Sequence, residues 1–103
     1  MNWKTKKNQR LIKAVLTLKT EAEVRRFLRD LMTEKEIKEF SNRFKAAEML
    51  TEQAPYFEII KQTGLSSTTV ARVSKWLNGK EGGYRTVIAK LHHRPVQSRS
   101  GLF

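Results

Sequence analysis

The chain has 103 residues, with 21 Lys and Arg against 10 Asp and Glu, a formal charge of +11 and a pI near 10.4. It contains no cysteine, which excludes disulfides and thiolate metal sites, and no run of about 18 apolar residues that would span a membrane. A basic surplus this large points to polyanionic partners, nucleic acid first, although a basic surface also serves plain solubility.

Met1-Asn2-Trp3-Lys4 lacks the apolar stretch of a secretion signal, and the expectation is a cytoplasmic protein. Apolar residues recur at spacings of three and four rather than two, so the predicted class is all-α. A first helix is predicted from about Lys6 to Lys19, with Leu11, Ile12, Val15, Leu16 and Leu18 as its apolar stripe. Its basic residues (Lys4, Lys6, Lys7, Arg10, Lys13, Lys19) have no acidic counterweight. Thr20 and Glu23 form a capping box that starts a second helix, carrying Val24, Phe27, Leu28 and Leu31 on one side. Thr33 and Glu36 form another, opening a longer helix with Ile37, Phe40, Phe44, Ala47, Met49 and Leu50 as its expected inner face.

Pro55 interrupts that helix and suits the first turn of a new one, which should end at Thr63-Gly64. Ser66 is the expected N-cap of the next helix, running to about Leu77 before Asn78-Gly79. After Gly82-Gly83, a final helix is predicted from Tyr84 to about His92. The expected organisation is six helices in one domain over residues 1–93, then a flexible tail over 94–103 without periodicity.

Residues 57–76 carry the functional signal. A helix-turn-helix needs two short helices at a steep angle across a tight turn. Gly64 supplies the turn, and Ile59, Ile60, Leu65, Val70 and Val73 supply the apolar lock. At Ile60, four residues before the glycine, a small residue is commoner. The outer face of the second helix would then present Ser66, Ser67, Thr68, Thr69, Arg72 and Lys75. Small hydroxyl residues allow close approach to base edges in the major groove, and Arg and Lys meet guanine or phosphate. The expected partner is double-stranded DNA. A capped amphipathic hairpin without that role has the same pattern, and the charge favours DNA.

Residues from about Leu28 to Leu91 resemble the Trp repressor superfamily, in particular its YerC/YecD branch of bacterial Trp-repressor-like proteins. The matching pieces are Leu31-Met-Thr-Glu-Lys-Glu36, the helix through Arg43, and Gly64-Leu-Ser-Ser-Thr-Thr-Val-Ala-Arg72. The resemblance implies an all-α, Trp-repressor-like fold and an intertwined homodimer whose N-terminal helices cross between subunits. Two recognition helices would read half-sites about one DNA turn apart. A sequence-specific transcriptional regulator, by expectation a repressor, is the function this implies.

In the Trp repressor an indole lies between two arginines with threonine nearby. The matching positions make Thr33, Arg43, Thr69, Arg72 and Trp76 a candidate effector pocket. Val73 and Trp76 stand where the repressor keeps a glycine and a serine, so free tryptophan is not expected as corepressor; no cofactor is expected, and another small-molecule effector stays open. Arg43 is equally well read as an ordinary solvated helix charge. Phe57 and Ile60 replace an arginine and a lysine of the repressor, which implies a different operator.

An enzyme is not expected. His92 and His93 are adjacent and point to different sides of a helix, and Glu36 and Glu39 sit in a Glu-Lys-rich helix of the kind that merely solvates. The rival readings are a non-sequence-specific nucleic-acid binder using the basic first helix and tail, and a helical protein-interaction module.

Overall fold

Side-chain capping decides where most of the helices begin. A computed structural model describes residues 1–93 as six helices: α1 Lys6–Leu16, α2 Glu21–Leu31, α3 Glu34–Thr51, α4 Tyr56–Thr63, α5 Ser67–Leu77 and α6 Gly83–His93. No strand occurs among the described residues. The predicted tail over 94–103 lies outside them. The described residues form two compact units, Met1–Ile37 and the part from Lys38 onward.

In the first unit, the Thr5 hydroxyl accepts from the Asn8 amide at 3.2 Å and starts α1. This helix ends at Leu16, three residues earlier than predicted. The Thr17 hydroxyl donates to the Ala14 carbonyl at 2.7 Å and the chain tightens there. The Lys19 and Thr20 amides then turn to the Glu23 carboxylate, committing this segment to the next cap. The α2 capping box forms as predicted, with the Glu23 amide donating to the Thr20 hydroxyl at 3.1 Å. The Thr33–Glu36 box at the start of α3 is reciprocal in the same way. No residue of α1 or α2 is buried.

The second unit holds the core: Ala46, Ala47, Met49, Ile59, Leu65, Val70, Val73, Leu77 and Ile88. Ile59, Val70 and Val73 are its largest fully enclosed side chains, each contributing about 1.5–3 kcal/mol by leaving water. Of the predicted inner face of α3, Ala47 and Met49 are buried and Phe44 and Leu50 pack against the core. Ala46 is buried, whereas Phe40 remains exposed. At the end of α3 the Ala54 amide reaches the Met49 carbonyl and the Gln53 amide reaches that of Leu50. Gln53 takes a positive φ of 65° to do so, so this helix closes with a Schellman turn that has no glycine. Helix α5 packs against both α4 and α6, and Tyr84 of α6 lies 6.3 Å from Phe44 of α3, ring to ring.

Candidate nucleic-acid interface

The α4–α5 hairpin has the turn that the sequence predicts. Gly64 adopts φ 72°, and its amide closes α4 on the Ile60 carbonyl at 2.9 Å. A side chain at this backbone conformation would be strained. Thr63, which sequence reasoning passed over, is the buried polar residue of the core. Its hydroxyl donates to the Ile59 carbonyl at 2.7 Å and accepts from the Leu65 amide at 3.2 Å. The hydroxyl therefore bridges the helix to the turn with its polar capacity used. Ile59, Leu65, Val70 and Val73 form the lock, while Ile60 is only partly buried.

Ser66 caps α5, accepting from the Thr69 amide at 3.1 Å and donating to the Thr69 hydroxyl at 3.0 Å. Those two hydroxyls are thus already engaged with one another. Val70, Val73 and Leu77 face inward, and at 100° per residue the opposite face carries Thr68, Ala71, Arg72 and Lys75, with Ser67 on its flank. All five are exposed. Ala71 was missed in the sequence, although its position three residues after Thr68 marks it. Its methyl group leaves this face low enough for another surface to approach. Neither ion pair among the described residues involves Arg72 or Lys75. Phe57 of α4 is 73% exposed.

The candidate pocket residues fall into different settings. Thr33 serves in the capping box of α3. Thr69 is half-buried beside its cap, and Arg72 is exposed. Arg43 and Trp76 come together: the guanidinium carbon lies 5.7 Å from the indole centroid and 5.3 Å from that of Phe40. These distances suit cation–π attraction. The Arg43 Nε also donates to the Glu39 carboxylate at 3.2 Å. Arg43 is therefore a half-buried, engaged side chain rather than a freely solvated charge. The spacing of Glu39 and Arg43, one helical turn apart, was the legible signal for their pairing. Nearby, burial pushes the Tyr84 phenol above its ordinary value, with the Arg43 charge acting in the opposite direction.

Arg85 braces the far end of α5. Its guanidinium donates to the Leu77 carbonyl and, at 3.0 Å, to the Gly79 carbonyl. Gly82, at φ 71°, makes room for this arrangement: a Cβ there would stand 3.1 Å from the Arg85 Nη2. A cation at the negative end of the helix dipole is favourable as well.

Comparison with known proteins agrees with this architecture. Residues 6–92 match the family model for Trp repressor protein. The uncharacterized protein YerC of Bacillus subtilis is 33% identical over 95 residues, covering 92% of this chain and 91% of the relative. The crystal structure of a TrpR like protein from Eubacterium eligens superposes with a TM-score of 0.81 at 38% identity, covering 88% of this chain and 94% of the other. With six helices among the described residues, a capped helix-turn-helix and these matches, the chain belongs to the Trp repressor-like YerC family, of the helical DNA-binding regulator type.

Proposed function

We propose that this chain is a sequence-specific transcription regulator, acting as a repressor in the cytoplasm, and that a homodimer of it reads two half-sites with paired copies of α5. The observation that carries the reading is the exposed face Ser67, Thr68, Ala71, Arg72 and Lys75, backed by the buried Val70, Val73 and Leu77. A rigid helix with small residues at its start and cations further along suits the major groove. Dimerisation is supported by exposed apolar residues on α1 and α2, among them Leu11, Val15, Leu16, Val24 and Leu31, which a single copy leaves in water.

Selection of bound sequences from random duplex DNA at about 150 mM salt, where the screening length is about 8 Å, tests the reading. A near-palindromic site with half-sites about 10 base pairs apart is expected. Binding that fades with salt and enriches no sequence would leave a non-specific binder in its place.

Repression in this reading uses no free tryptophan and no cofactor. Arg43, which the family resemblance places beside an effector, is already occupied by the chain's own Trp76, Phe40 and Glu39. Calorimetry with tryptophan should therefore record no binding at micromolar concentrations. Saturable heat there would overturn this part of the proposal.

A further inference from the structure

The helix-turn-helix accounts for little of the chain's charge. Residues 56–77 hold three basic side chains, Lys61, Arg72 and Lys75, against the acidic Glu58. The first twenty residues hold Lys4, Lys6, Lys7, Arg10, Lys13 and Lys19 and no acidic residue, which is more than half of the surplus of 11. From Glu21 to His93 acidic and basic residues are interleaved, 13 basic with 10 acidic. A surface made basic for solubility alone gives no reason for this concentration at one end.

Helix α1 sorts that charge by direction. At 100° per residue, Lys6, Arg10 and Lys13 fall within an arc of about 60°, with Thr17 continuing it. Leu11, Ile12 and Val15 occupy the opposite arc and are 41–50% exposed. All three cations are exposed, and neither ion pair among the described residues involves α1. Lys6 and Lys13 lie about 10 Å apart along the helix axis. That distance matches three intervals between successive phosphates of one DNA strand, spaced about 3.4 Å apart along the axis.

We propose that the Lys6–Arg10–Lys13 face of α1 binds DNA backbone phosphates, a sequence-independent contact additional to that of α5. The inference builds on the DNA-binding reading above and names a second element for it. Duplex DNA is the favoured polyanion over an anionic membrane because α1 carries no aromatic residue. Surface-seated helices commonly set Trp or Phe beside Leu for insertion, and Leu11 and Leu16 stand on α1 without either. The apolar arc is also the side that the proposed dimer would cover, leaving the basic arc as the free face.

The test uses the full chain and a triple variant, Lys6→Gln, Arg10→Gln and Lys13→Gln, with helicity and melting compared to the parent. Affinity is measured from about 50 to 250 mM salt on the selected duplex and on a random one. Each phosphate that is no longer neutralised should lower the slope of log K against log salt by about 0.9. The triple variant should therefore lose two to three slope units on both duplexes, with their affinity ratio unchanged. The charge-conserving pair Lys6→Arg and Lys13→Arg should keep the parent slope. If the triple variant does not fold, Lys6→Gln and Lys13→Gln singly should each lose about one unit.

An unchanged slope in a folded variant overturns the proposal. Intact duplex binding together with lost binding to phosphatidylserine vesicles also overturns it, in favour of a membrane surface. Failure of the helix-turn-helix reading has a different signature. In that case no duplex is preferred, yet the triple variant still weakens binding to random DNA.

Discussion

At Gln53 the backbone sits at φ 65° to close α3, a left-handed conformation that costs a side chain roughly 1–2 kcal/mol. Gln53→Gly removes that strain but adds chain entropy to the unfolded state, about 0.4–1 kcal/mol. The net expectation is a gain of about 0.5–1 kcal/mol, seen as a rise in Tm of about 2–8 °C. An unchanged or lower Tm would show that the glutamine side chain compensates its own strain. On α5, two neighbouring cations should separate by role. Arg72→Ala should cost about 1–3 kcal/mol on the selected site and relax discrimination at one base pair, whereas Lys75→Ala should weaken all duplexes alike and lower the salt slope by about one. Equal, sequence-independent losses for both would mean that neither cation reads a base.

The elements of the second unit are coupled by a few polar and aromatic contacts. Arg85 ties the first turn of α6 to the Leu77 carbonyl that ends α5 and to the Gly79 carbonyl in the loop beyond it. Arg85→Ala should cost about 1 kcal/mol and speed amide exchange across residues 78–82, with Arg85→Lys recovering part of the loss. Parent-like exchange in Arg85→Ala would show that the loop holds itself. Tyr84 links α6 to α3 through Phe44, and burial raises its phenol pKa above the ordinary 10. The native state thus keeps the proton that the unfolded chain releases. The contribution of Tyr84 is fully present below pH ~10 and is lost as pH rises through the folded pKa. Alkaline denaturation should show a stability loss that Tyr84→Phe reduces. An identical loss in the variant would assign it to other groups.

At the scale of the whole molecule, the first unit has no buried residue in either of its complete helices, α1 and α2, although both have clear apolar faces. Small domains of this length bury comparatively little of their surface alone. Sedimentation should find a dimer at micromolar concentration. Leu11→Glu combined with Val15→Glu should yield a monomer that no longer prefers the two-half-site duplex. A parent chain that sediments as a monomer at about 100 µM would remove the dimer from the proposed function.

Much of this was legible in local sequence because local chemistry decides it. The Thr20–Glu23 and Thr33–Glu36 boxes, the Ser66 cap and Gly64 each act within four residues, so the helix starts and the hairpin turn were readable, as were the inward positions Val70 and Val73. The predicted end of α1 falls three residues late because two caps compete for the segment after Leu16. What only the tertiary structure decided involves partners distant in the chain. Periodicity marks Trp76 as one position on α5, but its meeting with Arg43 of α3 depends on how those helices pack. The same holds for Ala46 joining the core while Phe40 stays exposed, and for Arg85 reaching back eight residues to the Leu77 carbonyl. Such contacts depend on packing angles between helices, which side-chain spacing within one helix does not encode.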